Sequence, residues 1–147
     1  GMGTTIVASI AKDNEACIAH VGDSRAYITD GKEIRQVTKD HSLVQEMYDS
    51  GKISADELEN HPQKNIITRA MGVSEGVEID FNYVCLNKNE ALILCSDGLS
   101  GLVSKERILE IYNNTDFDCL AEEYIKEANK LGGKDNITVV VMKGTGE

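Results

Sequence analysis

The chain has 147 residues, 25 of them acidic and 15 basic, for a formal net charge of −10, and 41% are hydrophobic. That length and apolar content suit one globular domain, residues 1–147, with a core of its own. The acidic excess is spread along the chain rather than gathered in a tail, which opposes nucleic-acid backbones and anionic membranes as partners, and no apolar run reaches membrane-spanning length.

Gly1-Met2-Gly3-Thr4-Thr5 leads into a β-branched stretch with no polar lead-in, as though the sequence began in mid-structure. Residues 4–11 and 16–21, separated by a polar turn, predict a pair of antiparallel strands. Residues 25–29 and 33–38 flank Asp30-Gly31, a dipeptide suited to the positive φ angles of a tight hairpin. Ser42-Leu43-Val44-Gln45 and Ser54-Ala55-Asp56-Glu57 both fit a capping box, so two short helices should follow, the first ending near Gly51 and the second before Pro62. The segment from about 43 to 65 therefore reads as a polar excursion between strands, either a substrate-facing flap or an ordinary surface loop.

Strand character returns at residues 77–86 and 91–95, the latter continuously apolar and expected to be buried on both faces. Ser104 can cap a helix through Tyr112. Residues 117–131 then read as one helix, with Leu120, Ala121, Tyr124, Ile125, Ala128 and Leu131 at helical spacing, before Gly132-Gly133 stops the run. Residues 137–142 close the chain as a last strand. Runs of strands with late helices predict an α+β fold with antiparallel sheets and helices packed outside, a doubly wound parallel sheet being the alternative. Cys17, Cys85, Cys95 and Cys119 stand apart among apolar residues with no CxxC pair, the pattern of free thiols in a reducing, cytoplasmic setting.

Asp23, Asp97 and Asp135 each lie where a strand gives way to a glycine-containing turn. A carboxylate just outside a rigid strand is well held, and three convergent ones would suit hard divalent cations such as Mn²⁺ or Mg²⁺. Singly, each is an ordinary turn pair. Arg25 offers either a phosphate ligand or a partner for a carboxylate, and His41 either an acid catalyst or a residue at a helix start. His20 and His61 have no ligand partners at useful spacing and read as structural.

In order, Gly3-Thr4-Thr5, Gly22-Asp23-Ser24-Arg25, Asp40-His41-Ser42, Ile67-Thr68-Arg69-Ala70-Met71-Gly72, Ser96-Asp97-Gly98-Leu99 and Asp135-Asn136-Ile137-Thr138 span nearly the whole chain. The set resembles the type 2C, or PPM, family of metal-dependent serine/threonine protein phosphatases, in its bacterial branch. The resemblance implies an antiparallel β-sandwich flanked by helices (αββα), with a metal cluster at one end. By position, Asp97 and Asp135 match ligands of the family's binuclear centre, Asp23 matches an aspartate holding a further ion in bacterial members, and residues 43–65 match the variable flap.

The implied chemistry is phosphoester hydrolysis by metal-activated water, with two or three Mn²⁺ or Mg²⁺ ions and no covalent phosphoenzyme. The implied partners are phosphoserine and phosphothreonine proteins and a cognate serine/threonine kinase. Ahead of its Gly-Thr-Thr strand the family also carries a phosphate-gripping Arg and an Asp-Gly-x-Gly-Gly-His motif, which supplies a bridging aspartate and the acid histidine. Gly1 to Thr5 contain neither. The expectation is thus the C-terminal portion of such an enzyme, inactive alone, with weak or absent metal binding and no catalytic residue of its own. Uncovered sheet edges and apolar surface would invite homodimerisation or strand exchange. The alternative is a catalytically silent, phosphatase-like binding or regulatory module.

Overall fold

The computed structural model describes residues 2–145, apart from the side chain of Glu59. Two antiparallel sheets form its centre, one ordered β1-β2-β5 and the other β4-β3-β6-β7. The strands are β1 (Ile6–Lys12), β2 (Glu15–Val21), β3 (Arg25–Thr29), β4 (Ile34–Gln36), β5 (Asp80–Cys85), β6 (Ala91–Cys95) and β7 (Val139–Lys143). The helices are α1 (Leu43–Asp49), α2 (Ala55–Asn60), α3 (Asp97–Ser100), α4 (Lys105–Asn114) and α5 (Leu120–Lys130).

Alternation along the strands sorts the side chains into layers. Ala16 and Ile18 of β2, Ala26 and Ile28 of β3, and Leu92 of β6 meet between the sheets. The opposite face of the second sheet, through Tyr27, Ile93 and Cys95, packs on Ile108 and Ile111 of α4 and on Leu120, Tyr124 and Ala128 of α5. β6 is therefore buried on both faces, as its unbroken apolar run required. At this inner boundary the Tyr124 hydroxyl donates to the Ile108 carbonyl at 3.2 Å, which spares a buried phenol from lacking a partner.

The first sheet is covered on its inner face only. Cross-strand register places Ala8, Ala19 and Phe81 in one outward row and Ile10, Cys17 and Tyr83 in the next. Ile10 and Tyr83 are each 80% exposed and Phe81 57%. What stands open is thus a broad apolar sheet face as well as the edge of β1.

Several local expectations shift by physical causes. Thr29 pairs with Ile34, so the hairpin has a four-residue loop rather than a two-residue turn. Asp30 Oδ1 accepts from the Lys32 and Glu33 amides and organises that loop, while Gly31 takes the positive φ of 86°. Only Ser54 and Glu57 form a complete capping box, because Gln45 turns its amide to Asp49 instead. A 3₁₀ turn at Phe117–Cys119 precedes α5 where one continuous helix was expected. The short α3, beginning at Asp97 itself, replaces an expected simple turn.

Candidate metal centre and cleft

Strand register brings the three aspartates to one end of the second sheet. Arg25, the first residue of β3, pairs with Cys95, the last of β6, and Cys95 pairs with Val139, the first of β7. Asp23 lies just before β3, Asp97 just after β6 and Asp135 just before β7, so antiparallel pairing puts all three past the same sheet end. Residues 22–24 are also the link that carries the chain from the first sheet to the second.

Asp23 and Asp97 line the same cleft. Burial, and next the charge of Asp97, push the Asp23 carboxyl above the usual carboxylate range. A carboxylate whose proton affinity is raised by burial and by a carboxylate beside it is what a divalent cation relieves, so the chemistry of this pair fits a hard-cation site. Asp135 is exposed in a turn, where its Oδ1 accepts from the Asn136 amide at 2.7 Å. Its loop is nevertheless clasped to that of Asp97: Ser96 N–H donates to the Thr138 carbonyl, Ser96 Oγ donates to the Asn136 carbonyl, and Thr138 N–H donates back to Ser96 Oγ. The three carboxylates do not close to within 4.8 Å of one another, and among the described residues that spacing is reached by His20, His41 and Asp80.

The cleft, about 370 Å³, runs between the 43–65 segment and the turn joining α3 to α4. Val44, Leu58 and Lys64 line one wall, Leu102 and Lys105 the other. The base of the 43–65 excursion is pinned by a bridge between Ser42 and Ile67. Arg25 lies along this cleft but does not point a free guanidinium into it. Its Nε and Nη2 donate to Asp40 at 3.0 and 2.7 Å and its Nη1 donates to the Tyr27 hydroxyl. Burial pulls the Arg25 pKa down, but the bonds to Asp40 and Tyr27 outweigh it and leave the guanidinium above its ordinary value. The carboxylate-partner alternative for Arg25 is the one realised. Burial also lifts the Cys95 thiol to about 12, so this cysteine beside the aspartates is no nucleophile.

Sequence spacing left His20 without partners, yet β2–β5 register sets His20 directly opposite Asp80, and His41 stacks on His20 with ring centroids 4.6 Å apart. The visible signal was the motif pair Asp40-His41-Ser42 and Ile67 to Gly72, whose Arg69 reaches Asp80 at 3.0 Å. His61, by contrast, accepts through Nδ1 from the Gln63 amide at a turn.

Residues 1–133 match the family described as Protein phosphatase 2C. The chain belongs to the protein phosphatase 2C family. A serine/threonine phosphatase of Listeria monocytogenes is 44% identical over 144 residues, covering 97% of this chain and 57% of the relative. The solved serine/threonine phosphatase of Staphylococcus aureus superposes with a TM-score of 0.91 at 35% identity, covering 97% of this chain and 57% of that one. The catalytic domain of PstP, solved in complex with 2 manganese ions, gives a TM-score of 0.78 at 37% identity over 96% of this chain and 58% of its own. The chain thus spans under two thirds of the length of these relatives, and within that span the antiparallel sandwich with flanking helices is the phosphatase 2C fold. Among the described residues no helix is long and apolar enough to cross a membrane.

Proposed function

We propose that this chain carries one side of the metal centre, and the flap-bordered cleft, of a metal-dependent phosphatase acting on phosphoserine and phosphothreonine in proteins. The observation that carries this is the pairing of Asp23 and Asp97 at one sheet end, facing a cleft, with the Asp23 proton affinity raised by burial and by its neighbour. Asp23, Asp97 and Asp135 would hold Mn²⁺ or Mg²⁺. A bound ion supplies positive charge that activates water and offsets charge on a phosphoryl group.

The chain's own residues do the rest. The Ser96 clasp sets the Asp97 and Asp135 turns against each other. The Asp40-anchored Arg25 lends positive charge near Asp23, and the 43–65 segment borders the cleft. The 147 residues contain no Asp-Gly-x-Gly-Gly-His motif, so the ligand set is short of a bridging carboxylate and turnover by this chain alone should be negligible. A cytoplasmic setting accords with four free cysteines. A cognate serine/threonine kinase would supply the phosphoprotein substrate. A second copy of the chain, or a preceding segment where one exists, would cover the open apolar face.

The test is Mn²⁺-dependent hydrolysis of a phosphothreonine peptide by this chain and by a version extended at its N-terminus with the family's Asp-Gly-x-Gly-Gly-His region. Turnover is expected from the extended protein only, and Asp97→Asn should abolish it. Turnover by the short chain overturns its inactivity. None from the extended one overturns the enzyme reading in favour of a silent binding module.

A further inference from the structure

His41 is buried and both of its ring nitrogens are engaged. The Gly22 N–H donates to Nδ1 at 3.1 Å while the His41 N–H donates to the Gly22 carbonyl at 2.9 Å, so one residue clamps both polar groups of the glycine before Asp23. An amide N–H can only donate, so Nδ1 holds the lone pair and the ring proton sits on Nε2. That proton faces Asp80 Oδ2, which lies 3.1 Å from Nε2. Asp80 Oδ1 accepts in turn from Arg69 Nη1 at 3.0 Å, and the Asp80 carboxyl is held below its ordinary range chiefly by the His41 bond. His20 stacks on the ring, itself anchored by Nε2 to the Lys39 carbonyl at 2.8 Å.

The clamp acts on a turn with no slack. Gly22 has φ +107°, and a Cβ there would stand 2.3 Å from Thr5 Cγ2. The segment carrying Asp23 is therefore pressed between Thr5 and His41.

We propose that His41 is a positioning residue for Asp23: its neutral Nε2–H form, fixed by Asp80 and Arg69, holds the Gly22 amide and so the direction in which the Asp23 carboxylate meets Asp97. The inference rests on the reading of Asp23 and Asp97 as cation ligands. A metal ion shared by His20, His41 and Asp80 is the competing use of the same atoms, which lie within 4.8 Å of one another. The geometry favours positioning, because Nδ1 of His41 is taken by Gly22, Nε2 faces Asp80, and the Arg69 guanidinium, 3.4 Å from Nε2, already stands where a cation would. His20 Nδ1, buried without a partner, adds one free ligand atom rather than three.

Nitrogen NMR of the whole chain tests this directly. His41 should show an unprotonated Nδ1 and a protonated Nε2, and the reverse tautomer overturns the proposal. His41→Asn keeps an acceptor near the Nδ1 position and should leave Gly22 amide exchange close to wild type. His41→Gln reaches only the Nε2 position and should speed that exchange about tenfold, the loss of one buried hydrogen bond. Should His41→Gln fail to fold, Asp80→Ala at the sheet edge should instead mix the tautomers and speed Gly22 exchange several-fold.

Equal Gly22 protection in the Asn and Gln variants overturns the proposal, as do shifts of both histidine rings on adding one equivalent of Zn²⁺. Mn²⁺ broadening of the Asp23 and Asp97 signals should weaken in His41→Gln and persist in His41→Asn. No broadening in any variant removes the ligand reading alone, and the ring tautomer and Gly22 exchange still decide whether His41 holds the turn.

Discussion

Gly98 and Asn136 lie against each other so closely that a Cβ on Gly98 would stand 2.3 Å from the Asn136 carbonyl oxygen. This contact joins the residue after Asp97 to the residue after Asp135, and it is backbone that would have to move. Gly98→Ala should therefore cost about 1–3 kcal/mol by overpacking, read by chemical denaturation, and should weaken divalent-cation binding by parting the two turns. An alanine variant as stable as wild type would show that the clasp is loose.

The Asp23 carboxyl, raised by burial and then by Asp97, makes a prediction with a definite sign. A carboxyl whose folded pKa exceeds its unfolded value favours the folded state fully only below the unfolded value, and that advantage is lost as pH rises through the folded value. Asp23→Asn should thus raise the melting temperature at neutral pH, with the gain shrinking as pH falls toward about 4, the ordinary aspartate value. Millimolar Mn²⁺ should raise the wild-type midpoint more than that of the variant. A gain that grows on acidification would contradict the assignment.

Arg25 and Asp40 form a fork-to-carboxylate pair whose side chains are 26% and 11% exposed. Removing one partner of such a pair strands the other, so Arg25→Ala should lose about 2–4 kcal/mol. Asp40→Ala should lose less, since the long, more exposed Arg25 can turn to water while Asp40 cannot. Arg25→Lys should recover only part of the loss, because an ammonium cannot reproduce the two-pronged bond. Equilibrium urea unfolding of the three variants gives the order.

The open face of the first sheet predicts concentration-dependent association of the isolated chain. Ile10→Lys and Tyr83→Lys, each at a position 80% exposed, should leave folding intact and weaken association by at least about tenfold if the face is the contact. Sedimentation velocity over a range of concentrations reads the outcome. Association unchanged in both variants would move the contact to the edge of β1.

The placement of most elements was legible in the residues because binary pattern and punctuation agreed. β3 and β6 matched their expected limits, since buried strands flanked by turns have few alternatives. β4 and β5 came out shorter than their β-branched runs, because pairing partners limit a strand's length, and Gln45 chose Asp49 over the cap because either bond satisfies it.

Asp23, Asp97 and Asp135 were named by sequence alone, through the turns they share with glycines and through an ordered motif set. Sequence had also foreseen uncovered sheet edges and apolar surface, and the structure locates that apolar surface on the outer face of the first sheet, in Ile10, Phe81 and Tyr83. Tertiary structure decided which groups meet. Register carried His20 opposite Asp80, the return of the chain laid His41 on Gly22, and Asp40 rather than phosphate took Arg25. Those pairings join residues distant along the chain, and local propensity carries no information about partners that only the crossing of two sheets brings within hydrogen-bond reach.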